Sequence, residues 1–156
     1  MSANPNAASA PDTAGEAFLQ AFRGGFTNML RWPQLDALWQ RIRSLPDRQW
    51  YIYAVGEPPP TRPASAGELD RFLTELDALL HREHDEDYCG IVYADDPDDP
   101  RFIKVYDPNN LGSVCGSSGA PPPLPGWILS TLPPVALSQE LLLPANRRRW
   151  WKRLFG

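Results

Sequence analysis

The chain contains two cysteines and two histidines. Three of these four, His81, His84 and Cys89, fall within nine residues, and Cys115 follows in a glycine- and serine-rich stretch. Zinc takes four such ligands in a tetrahedron, so His81, His84, Cys89 and Cys115 are stoichiometrically a Cys2His2 set. Their spacing argues against it, because no Cys-x2-Cys pair presents two thiolates together. Two solvated histidines at a helix C-terminus, where positive charge is favoured, account for the same residues. No metal or other cofactor is therefore expected.

Thiol chemistry is the second option. Nine residues beyond a returning strand would be enough to fold Cys115 back toward Cys89, and a disulfide there would act as a redox response rather than a staple. The segment 112–119, Gly-Ser-Val-Cys-Gly-Ser-Ser-Gly, could also present Cys115 as a nucleophile among backbone amides. A phosphatase loop needs a closing arginine, and none follows Cys115 before Arg147. A cysteine hydrolase needs a histidine base, for which only His81 or His84 is available. The loop also lacks the lysine of a phosphate-binding P-loop. A small buried Cys89 and a loop thiol at Cys115 are the plainer account.

The acidic run 95–100, Asp-Asp-Pro-Asp-Asp-Pro, offers oxygens to a hard cation. It has neither the alternation nor the terminal glutamate of an EF-hand loop, and reads as a solvated turn. Residues 122–125, Pro-Pro-Leu-Pro, form a PxxP unit with no flanking basic residue and Trp127 close by, so they are read as structural.

The last ten residues are the most unusual. Arg147, Arg148, Arg149, Lys152 and Arg153 stand there with Trp150, Trp151, Leu154 and Phe155 and with no acidic residue. The whole chain has a formal charge of −4, from 15 basic and 19 acidic side chains. Setting that tail aside leaves an acidic body, which repels phosphate backbones and speaks against a nucleic-acid-binding core. Tryptophan and arginine dominate binding hot spots through contact area and planar donors. The tail can fold back on its own acidic body or dock on a protein partner. It can also rest weakly and reversibly on an anionic membrane.

These residues must be positioned by the elements around them. Phe18, Leu19, Phe22, Phe26, Met29 and Leu30 recur at helical spacing, interrupted by Gly24 and Gly25. Leu35, Leu38, Trp39, Ile42 and Leu45 mark a second helix with Pro33 in its first turn. Two packed helices are expected to open the domain. Residues 49–55 are dense in aromatic and β-branched side chains and read as a strand. Ser65 and Glu68 have capping-box spacing ahead of Leu69, Phe72, Leu73, Leu76, Leu79 and Leu80, a helix expected to run to about residue 84. Residues 88–94 and 101–106 are expected to form a hairpin placing Cys89 opposite Tyr106 and Val92 opposite Ile103. One face would then carry Val92, Ile103 and Val105, and the other Cys89, Ile91, Tyr93 and Phe102. Residues 107–126 form a long loop of the kind that is usually functional. Residues 127–130 return as a short strand.

At 156 residues the chain fits one domain, and 18 prolines exclude a long-helix bundle. No apolar run approaches the length of a membrane span, and the start lacks the pattern of a signal peptide. Two cysteines give no disulfide framework, so a reducing, cytoplasmic setting is expected. The expected fold is α+β, a small, mainly antiparallel sheet covered by helices on one face. Residues 1–14 are read as a disordered leader, 15–144 as the domain and 145–156 as the tail. The function expected is that of a non-catalytic accessory protein engaging a protein partner through the tail and the 107–126 loop. The alternative is a thiol- or metal-dependent site on Cys115 and Cys89 with His81 and His84.

Overall fold

The computed structural model describes residues 10–111, 124–137 and 153–154, with side chains from Gly15 onward and at 153–154. Helix α1 spans Ala10–Phe22, α2 spans Trp32–Arg43 and α3 spans Ala66–Glu83. The strands are β1 Thr27–Asn28, β2 Tyr51–Ala54, β3 Val92–Ala94, β4 Phe102–Val105 and β5 Trp127–Ser130. They form one sheet in the order β1-β3-β4-β5-β2, with every neighbouring pair antiparallel. The α+β class and the antiparallel sheet are those expected from the sequence.

The two faces of the sheet are lined by different residues, as the period of two along a strand requires. Register sets Ile103 beside Leu129 and Leu129 beside Ile52; Val92, Val105, Trp127 and Ala54 form the next row. Both rows belong to one buried cluster with Leu35, Leu38, Trp39 and Ile42 of α2 and with Phe72, Leu73, Leu76, Leu79 and Leu80 of α3. The opposite face contributes Tyr53, Phe102 and Ile128 to a second cluster built around Phe18 of α1. Helix cover is thus α2 and α3 on one face and α1 on the other. The two packed opening helices expected from the sequence are instead separated by the sheet. The break at Gly24 and Gly25 is the reason: α1 stops at Phe22, and the chain then runs along the sheet edge as β1 before α2 begins. Helix α1 also starts at Ala10, inside the stretch read as a leader.

Local signals explain the helix starts. Ser65 Oγ accepts from the Glu68 amide at 3.1 Å, and the Glu68 carboxylate accepts from the Ser65 amide at 2.8 Å. This reciprocal pair satisfies two of the amides that a helix start leaves open. Helix α2 has Pro33 in its first turn, where a missing N–H costs nothing.

The hairpin differs from expectation by two residues, since Val92 faces Val105 and Ala94 faces Ile103. The turn sets this register. Asp95 Oδ1 accepts from the amides of Arg101 and Phe102 at 2.9 and 3.0 Å, and the Asp95 amide donates to the Phe102 carbonyl. A shift of two keeps each side chain on its face, so Val92, Ile103 and Val105 still point together. Cys89 and Ile91 do not join Tyr93 and Phe102, however. Strand β3 begins only at Val92, and Gly90, at φ +75°, turns the preceding chain so that Cys89 and Ile91 enter the α2/α3 core. A positive φ there favours glycine over any residue with a Cβ. Strand β5 lies between β4 and β2 with all four side chains buried. Burying Trp127, Ile128 and Leu129 contributes on the order of 1.5–3 kcal/mol each.

Candidate functional site

The last turn of α3 and the segment that leads from it to β3 gather the histidines expected from the sequence, but around aromatic side chains rather than thiols. Trp32, the first residue of α2, reaches across to the end of α3 and stacks on His81, with ring centroids 4.0 Å apart and planes 27° apart. His84 meets the Trp32 ring edge-on at 6.2 Å, and Tyr88 meets His84 edge-on at 6.1 Å. The Trp32 indole N–H donates to the Glu86 carbonyl at 3.0 Å, fixing the loop that carries Asp85, Glu86 and Asp87. His81, Trp32, His84 and Tyr88 therefore form one continuous row.

The row ends at the surface. Tyr88 is 54% exposed and Leu30 56% exposed, the two large apolar side chains that stand out from the described surface. The chain segments that carry them run side by side, because the amide of Cys89 donates to the Leu30 carbonyl at 2.8 Å and that of Gly90 to the Met29 carbonyl. The acidic residues 85–87 are all exposed beside them. Apolar side chains with a charged rim are the usual composition of a protein-binding patch.

The expected zinc set is not assembled among the described residues. His84 Nε2 donates to the Cys89 carbonyl at 2.8 Å, so that nitrogen is already engaged. Cys89 is a free thiol, fully buried in the core, and burial pushes its ionisation upward despite nearby backbone amides. A thiolate nucleophile needs the opposite surroundings. His81 belongs to a different group. Asp36 of α2, with Asp77 and His81 of α3, brings three donor atoms within 4.8 Å of one another. The sequence reading missed this group because Asp36 lies more than 40 positions before His81; the i,i+4 spacing of Asp77 and His81 was the one available signal.

Cys115 lies outside the described residues, as do Arg147, Arg148, Arg149, Trp150, Trp151 and Lys152 of the tail. Arg153 and Leu154 are described, and they lie against the domain. Leu154 is 9% exposed within the α2/α3 core cluster, and Arg71 Nη2 donates to the Arg153 carbonyl at 3.1 Å. Of the 107–126 loop, the first part forms a single 3-10 turn, Pro108–Asn110, in which the Asp107 carboxylate accepts from the Asn109 amide at 2.9 Å. The Asn109 side-chain amide donates to Glu83 at the end of α3.

The acidic turn behaves as a turn. Asp96 caps the Asp98 amide at 3.0 Å, Arg48 pairs with Asp99, and the Arg41 guanidinium donates to the Asp98 carbonyl at 2.8 Å. The Arg48 partnership, chiefly its hydrogen bond, lowers the Asp99 carboxyl below its ordinary range. A cavity of about 410 Å³ lies between this turn, β1 and α2, lined in part by Met29, Leu38, Arg41 and Asp98. Among the described residues no helix is long and apolar enough to cross a membrane.

No protein-family model matches the chain, and neither the curated proteins nor the solved structures yield a match.

Proposed function

We propose that this chain is a small, non-catalytic accessory protein of the cytoplasm that engages a protein partner carrying basic residues. The observation that carries this reading is the exposed pair Leu30 and Tyr88 at the end of the Trp32–His84 row, rimmed by Asp85, Glu86 and Asp87. Aromatic anchors backed by packed neighbours are what interfaces use as energetic centres. Charge of one sign around such a centre steers and orients a partner of the opposite sign. The Arg/Trp tail, with Arg147, Arg148, Arg149, Trp150, Trp151, Lys152 and Arg153, and the 107–126 loop are the further contact elements of this proposal. An acidic body makes a nucleic acid the less suitable partner. Any membrane contact through the tail would be weak and peripheral.

The thiol-dependent alternative receives no support from its described members: the Cys89 thiol is buried and the His84 Nε2 is engaged.

The test is affinity capture from the native host's lysate with three forms of the full chain: wild type, Leu30→Asn with Tyr88→Ser, and Trp150→Ala with Trp151→Ala. Leu154 is kept in every form, since removing it would disturb the core. A partner held by the wild type and lost from either variant supports the reading. A partner equally retained by both variants, or no retained protein at all, overturns it.

A further inference from the structure

We propose that Asp36, Asp77 and His81 form a binding site for a divalent transition-metal cation of the zinc class, joining α2 to α3. Their donor atoms all lie within 4.8 Å of one another. His81 Nε2 and Asp77 Oδ1 are 3.6 Å apart. That separation is too long for a hydrogen bond. It is close to the edge of a zinc tetrahedron, about 3.3–3.5 Å for metal–ligand bonds of roughly 2.0–2.1 Å. Asp77 and His81 sit one helical turn apart on α3, so both project over the same strip of surface. Asp36 supplies the third donor from the facing helix, and rotation of its exposed side chain closes the remaining distance.

Two contacts hold these donors in position. The Trp39 indole N–H donates to Asp77 Oδ1 at 3.0 Å, which orients the carboxylate and leaves that oxygen a second lone pair for a metal. The His81 ring is held against Trp32 by the stack at 4.0 Å. Partners that orient first ligands in this way are the usual companions of metal sites. The donor chemistry selects the ion: one imidazole nitrogen with two carboxylates suits zinc, nickel or cobalt, whereas calcium prefers oxygen alone. Two carboxylates neutralise a dication, and the acidic body raises its local concentration. Asp36 and His81 are exposed and Asp77 is half-buried, so water can complete the coordination from the solvent side. Of the stoichiometric set His81, His84, Cys89 and Cys115, this site uses His81 alone.

The experiment uses the full chain stripped with chelator, and zinc sulfate as the probe. Calorimetric titration is expected to give one equivalent per chain, with Tm rising by several degrees at saturating zinc, because a ligand bound only by the folded state stabilises it. Asp36→Asn, at an exposed position, is expected to weaken binding at least tenfold while leaving the metal-free Tm unchanged. His81→Ala should do the same to the affinity. Cobalt substitution gives a second readout, an absorption band in the visible that Asp36→Asn removes. The proposal is overturned if zinc neither binds nor shifts Tm. It is equally overturned if binding survives Asp36→Asn but is lost in His84→Ala or Cys115→Ser, which would assign the ion to the thiol and histidine set instead.

Discussion

Trp32 lies flat against His81, 4.0 Å between ring centroids, although the two residues open one helix and close another. The contact is one of several that tie α2 to α3. Arg43 pairs with Asp70 at 2.8 Å and donates to Thr74 at 3.1 Å, and Trp39 bonds Asp77. The ion pair is exposed and contributes little, of the order of 0–1 kcal/mol. The aromatic stack, in which Trp32 packs half-buried against the core and His81 covers it from the solvent side, contributes more, about 0.5–1.5 kcal/mol beyond the area it covers. The relative placement of the two helices therefore depends on Trp32 more than on the charged pairs.

Trp32→Phe retains a ring over His81 but removes the N–H that reaches the Glu86 carbonyl. Its expected cost is about 1 kcal/mol, the loss of one hydrogen bond. Trp32→Ala also removes the stack and should cost clearly more, roughly 2–3 kcal/mol. Urea unfolding of both variants measures the two values. Equal destabilisation by Phe and Ala would show that the stack contributes nothing.

Cys89 is expected to be inert. It is fully buried and its thiol is pushed upward by desolvation, so almost none of it is thiolate near neutrality. In a Cys115→Ser background, a disulfide reagent at pH 8 should leave Cys89 unmodified in the native protein for hours and label it at once in denaturant. Rapid labelling of the native protein would contradict the burial.

The helices and strands were legible where the pattern was local. The six apolar positions of α3 repeat at 3.6 residues, and Ser65 with Glu68 announces its start, so its bounds came within a residue or two. The strand at 127–130 was also legible, but not its place between β4 and β2, because sheet order depends on contacts that no local pattern encodes. The hairpin register is not legible in the sequence, because Asp95 closes the turn with its side chain and so moves the pairing two residues from one centred on the turn. Of the site residues, the clustering of His81 and His84 was visible, whereas Trp32 and Asp36 were not connected to them. Both belong to another helix, and only the packing of α2 on α3 brings them together.

Glu68 gives a pH dependence with a definite sign. Its carboxyl is lowered from 4.5 to about 2, first by the hydrogen bond from Arg62 and then by the Ser65 amide. The folded carboxyl thus holds its proton more weakly than the unfolded one. The stabilisation is complete above the unfolded value and is lost as pH falls from about 4.5 toward 2. The stability difference between wild type and Glu68→Gln should accordingly be larger at pH 7 than at pH 2, as thermal unfolding can measure. At neutral pH Ser65→Ala, which removes the other half of the capping box, should cost about 1 kcal/mol. A wild-type advantage that grows on acidification would contradict the assignment.

Leu154 offers a way to weigh the tail's attachment to its own domain. It is buried in the α2/α3 cluster, whereas the Arg153 side chain is exposed and only its backbone carbonyl is used by Arg71. Leu154→Ala should therefore destabilise the protein by about 2 kcal/mol, the lower part of the range for a buried leucine, because the site lies at the rim of the core. Arg153→Ala should fall within about 0.5 kcal/mol of the wild type, since a substitution there leaves the carbonyl in place. Arg71→Ala, which removes the donor, should cost up to about 1.5 kcal/mol. Denaturant midpoints for the three variants decide the matter. If Leu154→Ala were as stable as the wild type, residues 153–154 would not be anchored on the domain. If Arg153→Ala were the damaging variant instead, the attachment would be electrostatic, and its cost would fall as salt was added.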